Sequence, residues 1–200
     1  MPVRPNSVQP SKVTDGYWLF ARHSKQSDRD FSRCGKWMLM AIPNDRVDDI
    51  WRTVAPLVEA GQLGPDAKVS TARPNPNSPV PGTHAIMIYA HDWRDTDDLR
   101  RILTNLRHAG LGTARISFKR DDETFAGAYQ NRGSRNVSVF VAEPGGADEP
   151  VRLYTSWLGP KTYLDGSNDA EIVAALAGAE SQGEASRSSL HRFVRRARSF

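Results

Sequence analysis

Cys34-Gly35-Lys36-Trp37-Met38-Leu39-Met40-Ala41-Ile42 is apolar throughout except for one lysine near its start, the composition of a buried strand. Side chains alternate along a strand, so Trp37, Leu39 and Ala41 are expected on one side and Met38, Met40 and Ile42 on the other. Lys36 then stands at the strand's mouth. Two further expected strands carry a lysine in a similar setting: Ala67-Lys68-Val69-Ser70-Thr71 and Arg115-Ile116-Ser117-Phe118-Lys119. Three ammonium groups on three strands either sit separately in solvent or converge on one anion. Lysine suits the second role, being a compact charge with three donors.

Working outward, Tyr17-Trp18-Leu19-Phe20-Ala21 reads as a strand on its β-forming aromatics. After Pro43, Asn44 is expected to cap a helix. Val47, Ile50, Trp51, Val54, Leu57 and Val58 form one apolar face of it. Pro56 is placed to kink this helix and Gly61 to end it. Four prolines in residues 73–82 leave only an extended loop there. His84-Ala85-Ile86-Met87-Ile88-Tyr89-Ala90 reads as a central strand. Asp95 or Thr96 caps a second helix that turns Leu99, Ile102, Leu103 and Leu106 inward and closes at Gly110. Strands are expected at 114–119 and 124–129, then a hairpin of 137–141 with 151–155. A short helix over 170–177 follows, starting at Ser167 or Asn168.

This order predicts an α+β fold: one mainly antiparallel curved sheet, two main helices packed on one face, and a short C-terminal helix. The expected organisation is a flexible segment 1–15, a single α+β domain 16–165, a short helix 166–178 and a flexible basic tail 179–200.

The chain has 200 residues, 38% of them hydrophobic, enough for one domain with a substantial core. No apolar run approaches the roughly 18–20 residues of a membrane span, and residues 1–6 lack the hydrophobic core of a secretory signal. The expectation is a cytoplasmic protein. Cys34 is the only cysteine, which excludes an intramolecular disulfide and any multi-cysteine metal site. The five histidines form no compact metal-ligand pattern, and no glycine-rich dinucleotide or P-loop motif is present. No metal and no cofactor are expected. Without the five arginines of residues 187–200 the net charge falls from +4 to −1. The basic character therefore belongs to the tail, where Leu190, Phe193, Val194 and Ala197 fall on one side of a short amphipathic helix. An anionic partner is the natural fit for it.

Gly35-Lys36-Trp37, the Tyr89-Ala90-His91-Asp92-Trp93 segment before the second helix, Phe118-Lys119-Arg120-Asp121 and Thr124-Phe125-Ala126-Gly127-Ala128-Tyr129 together resemble the basophilic-leukaemia-expressed protein family. The similarity covers roughly residues 15–158, and that family's fold is similar to the cap-binding translation initiation factors. A fainter resemblance reaches the bacterial effector phosphothreonine lyases, through Lys36, Lys68-Val69-Ser70 and Met87-Ile88-Tyr89.

The lyase resemblance implies β-elimination of phosphate from a phosphorylated peptide or small phosphorylated ligand. That chemistry needs a base for the α-proton, an acid for the leaving phosphate and cations for the dianion. It implies Lys68 as base, with Tyr89 or His91 (or His84) supplying the proton, and Lys36, Arg73, Lys119 and Arg120 as the phosphate-holding cations. One departure matters. The lyases place their acid histidine two residues after the first lysine, and Met38 stands there in this chain. Two rival readings follow: a non-catalytic module for a phosphate, nucleotide, RNA end or protein with a tryptophan rim, and a structural partner in a larger assembly using the arginine-rich tail.

Overall fold

The structure is a computed structural model that describes residues 8–24, 30, 32–75, 80–122, 138–159 and 161–181. Its strands are β1 (Trp18–Arg22), β2 (Gly35–Pro43), β3 (Asp66–Ser70), β4 (Thr83–Ala90), β5 (Ile116–Arg120), β6 (Phe140–Ala142), β7 (Leu153–Thr155) and β8 (Thr162–Leu164). Its helices are α1 (Asn44–Glu59), α2 (Thr96–His108) and α3 (Asp169–Ser181). The eight strands form one open, curved antiparallel sheet in the order β1-β3-β4-β2-β5-β6-β7-β8. The fold is α+β, as the sequence predicts.

Cross-strand partners share a face, so the register sorts the side chains. Ala21, Ala67, Ile88, Trp37, Phe118 and Phe140 form one continuous row across six strands. All six lie in one buried core with Val47, Trp51, Val54 and Val58 of α1, Leu99, Ile102, Leu103 and Leu106 of α2, and Ile172, Val173 and Leu176 of α3. The described helices therefore cover this face. The opposite face carries the row Phe20, Lys68, Met87, Met38, Ser117, Val141, Tyr154 and Tyr163, which runs through all eight strands.

Strict alternation fails at one place in β2. Leu39 pairs with Ile86 but Ile42 pairs with His84, so one extra residue is inserted between them. Ala41 takes a left-handed conformation at φ 56°, the mark of a bulge. The bulge turns Ile42 onto the Trp37 side, where it joins the core, instead of the Met38 side that simple alternation assigns.

Several boundaries also shift. Asn44 is the first residue of α1, and the N-cap position is held by Pro43, without a side-chain capping bond. The Asn44 amide oxygen lies 3.0 Å from Nε2 of the buried His84, whose Nδ1 is 3.0 Å from the Ser70 carbonyl. That tie joins the start of α1 to β3 and β4. Asp95 caps α2 as expected, accepting from the Asp98 backbone N–H at 3.0 Å. Within the segment expected to be flexible, Pro10–Lys12 forms a 3-10 turn. It docks on α1 through Ser11, whose N–H and hydroxyl both donate to the Asp48 carboxylate. Strand β8 has no counterpart among the expected strands, and α3 runs to Ser181. The strand expected at 124–129 and the tail 187–200 lie outside the described residues.

Candidate functional site

Lys36 follows Gly35, the first residue of β2, where a Cβ would overlap the Phe118 ring. On one side Lys36 is the cross-strand partner of Lys119, on the other of Tyr89. Lys68 on β3 stands opposite Met87, two residues before Tyr89 on β4. Lys36, Lys68, Lys119 and Tyr89 thus share the face opposite the helices. The Lys36 Nζ is 5.6 Å and the Lys68 Nζ 5.7 Å from the centre of the Tyr89 ring, within cation–π range. Lys68 also sits 4.4 Å from the centre of the Trp18 ring. Lys36, Lys119 and Tyr89 are all 5% exposed or less, whereas Lys68 is half-buried.

A carboxylate enters this group. The Asp121 N–H donates to the Cys34 carbonyl at 3.0 Å, extending the β2–β5 pairing past the end of β5. The Asp121 side chain forms an ion pair with the Lys36 Nζ through Oδ1, and its Oδ2 accepts from the buried Cys34 thiol at 3.2 Å. Both charged side chains are nearly withdrawn from solvent, at 6% and 7% exposure. Burying two charges costs several kcal/mol per ion, which their attraction must offset. Sequence reasoning gave Asp121 no role. The available signal was parity, since Asp121 lies two residues beyond Lys119 and so continues its face.

The other residues expected at the site lie elsewhere. Arg120 pairs in register with Gly35 and so has the opposite parity from Lys119. Its guanidinium lies 4.3 Å from the centre of the Trp93 ring and forms an ion pair with Asp122. Arg73 is exposed at the β1 end of the sheet, 4.2 Å from the centre of the Tyr17 ring, and donates to the Asp15 carbonyl at 3.0 Å. His91 is exposed on the bend that follows β4. His84 lies on the helix-covered face in the Asn44–Ser70 tie described above. Of the five tryptophans, Trp37, Trp51, Trp93 and Trp157 are 5% exposed or less, leaving Trp18 as the one beside Lys68.

A clasp borders the site where β2 begins. Arg33 and Arg94 both donate to the Asp92 carboxylate, each through Nε at 3.1 Å. The Trp93 N–H donates to the Arg33 carbonyl at 2.8 Å. Partial burial pulls the Asp92 carboxyl upward, but the hydrogen bonds from Arg94 and Arg33 outweigh it and hold the group below the ordinary aspartate value. A separate hollow, lined by Leu57, Gln62, Asn105 and His108, lies between the C-terminal ends of α1 and α2.

Chemically, three ammonium groups, one carboxylate and two aromatic rings share one sheet face, an arrangement suited to holding an anion rather than a metal ion. Among the described residues no group of three or more histidine, cysteine, aspartate or glutamate side chains could hold a metal. No described helix is long and apolar enough to cross a membrane.

The class defined by this geometry is an antiparallel α+β protein with a lysine-bearing face opposite its described helices. A family model described as Basophilic leukemia-expressed protein Bles03 matches residues 12–125, more than half of the chain. The chain belongs to that family. The match spans β1 to β5 and therefore contains every residue of the lysine cluster.

Proposed function

We propose that this chain binds a phosphorylated group on the lysine-bearing face. The observation that supports the reading best is the placement of the Lys36 and Lys68 ammonium groups 5.6 and 5.7 Å from the centre of one Tyr89 ring, with Lys119 directly across from Lys36. A phosphate dianion there meets three point charges. The tyrosine hydroxyl adds a donor to the leaving or bridging oxygen.

The resemblance to the phosphothreonine lyases extends this to elimination. Lys68 in its neutral form would take the α-proton of a phosphothreonine, the Cβ–O bond would break as the Cα–Cβ double bond forms, and Tyr89 would protonate the departing phosphate. Two features favour binding over turnover. Met38 cannot donate a proton from the place where the lyases carry histidine. The Lys68 ammonium lies against the Trp18 and Tyr89 rings, a setting suited to holding an anion.

Titration calorimetry with a phosphothreonine peptide and its unphosphorylated twin tests the reading. Binding of the phosphorylated peptide alone, lost in both Lys68→Ala and Lys119→Ala, is the expected result. Equal affinity for the two peptides rejects it. Mass spectrometry of the recovered peptide separates the two forms of the proposal: an unchanged mass means binding, and loss of phosphoric acid to give dehydrobutyrine means lyase chemistry.

A further inference from the structure

Strand β1 stands at one end of the strand order and pairs with β3. Three aromatic side chains lie within four residues of it, and each has its own cation. Arg73 is 4.2 Å from the Tyr17 ring centre, Lys68 is 4.4 Å from Trp18, and Arg22 is 5.6 Å from Phe20. These rings are not core residues. Tyr17 is 39% exposed and Phe20 47% exposed, and Trp18 is half-buried. Neighbouring exposed aromatics on one strand make a cluster, unlike apolar residues scattered singly over a surface.

We propose that this edge binds single-stranded nucleic acid, with bases stacking on Trp18 and Phe20 and phosphates meeting Arg22, Lys68 and Arg73. Trp18 and Phe20 are two residues apart on one strand, so they point to the same face about 7 Å apart. A β-strand holds that spacing rigidly, and aromatic residues on a sheet are a known platform for successive unpaired bases. An acidic peptide would satisfy the three cations but bring no flat rings to the exposed aromatics. A duplex keeps its bases stacked inside and cannot offer them. A single strand supplies both complements at once. This proposal does not depend on the phosphate-pocket reading. Phe20, Arg22 and Arg73 have no part in that pocket, and Lys68 and Trp18 are shared.

The test is fluorescence anisotropy of the full chain with a labelled oligothymidylate of about twelve nucleotides, over about 50 to 200 mM salt. The proposal expects binding that weakens with salt. Phe20→Ala and Phe20→Leu should each weaken it about tenfold or more, while Phe20→Tyr retains it, because a flat ring and not apolar area is required. Arg22→Gln should lower the slope of log affinity against log salt by about 0.7, the value for one phosphate contact on a single strand. Phe20 is a surface residue, so circular dichroism of its variants should match the parent. The arginine-rich segment 187–200 is present in every variant and cannot produce a difference among them. Absence of binding at about 50 mM salt overturns the proposal. So does binding that Phe20→Leu leaves intact, which would be tail electrostatics. Competition by polyglutamate as strong as by unlabelled oligothymidylate of equal charge also overturns it, and points to an acidic peptide.

Discussion

The two faces of this sheet are built from the same strands and obey opposite rules. Under the helices, every step from Ala21 to Phe140 is apolar and shut off from water. Helices and strands contribute to one core there. On the other face the row alternates in kind: Phe20, Lys68, Met87, Met38, Ser117, Val141, Tyr154 and Tyr163 include aromatic, cationic, thioether and hydroxyl side chains. An antiparallel sheet with helices on one side needs only one apolar face. The second is free to carry charge, and in this chain it carries the lysines.

The contrast is sharpest between adjacent residues of β2. Trp37 is fully buried and packs edge-on against Phe118, with ring centres 5.1 Å apart at 72°. Trp37→Ala should cost about 3–5 kcal/mol of stability, measured by urea denaturation. Met38→Ala, one residue on and half-buried, should cost well under half as much. Trp37→Phe should be milder than Trp37→Ala, because it keeps most of the buried ring and the indole N–H has no hydrogen-bond partner among the described residues. Equal losses at positions 37 and 38 would mean that both faces are core and would break the comparison.

Charge on the lysine face provides the next test. Breaking a buried ion pair is costly, so Asp121→Ala should destabilise the protein by about 3 kcal/mol. The double variant Lys36→Met with Asp121→Leu should recover most of that loss. A double variant no more stable than Asp121→Ala would show that Lys36 and Asp121 act on the fold separately.

How much of this was readable beforehand depends on the range of the contact. The apolar face of α1 (Val47, Trp51, Val54, Val58) follows from helical spacing alone, and the start of α2 follows from its capping residues, Asp95 or Thr96, of which Asp95 is the cap. The bulge at Ala41 was not readable, because a left-handed alanine has no local signature and is set by the β4 pairing that flanks it, Leu39 with Ile86 and Ile42 with His84. Strand β8 is three residues long, too short for a periodic signal. The lysines were readable as candidates, but their shared face was not, since it depends on which strands become neighbours. Arg120 shows the limit: one residue from Lys119, it falls on the other face. Asp121 meets Lys36 across 85 positions of sequence, so no spacing rule reaches it.

A smaller effect is expected at Lys68. Lys68→Ala removes an ammonium from two aromatic faces and should cost about 0.5–1 kcal/mol, the range of exposed cation–π contacts. Its fluorescence signature should be larger than its stability signature, because Trp18 loses the cation 4.4 Å from its ring while the buried tryptophans keep their surroundings. A loss comparable with that of Trp37→Ala would place Lys68 in the core and contradict the division between the faces.

The smallest effect is the pH dependence of the Asp92 clasp, which joins the segment before β2 to the segment after β4. Burial disfavours the Asp92 carboxylate, and hydrogen bonds from Arg94 and Arg33 more than compensate, so its folded value lies below the ordinary 3.8. A carboxyl whose value is depressed by folding binds its proton less readily in the folded state than in the unfolded one. Its contribution to stability is therefore complete above the unfolded value and disappears as the pH falls through the folded one. In urea denaturation from about pH 6 downward, the parent should be more stable than Asp92→Asn near neutrality. The gap should narrow only once the pH drops below about 4. Arg33 is largely exposed, so water and salt screen the pair and added salt should shrink the gap at every pH. A gap that widens toward acid would reverse the sign and show that burial, not the two arginines, governs this carboxylate.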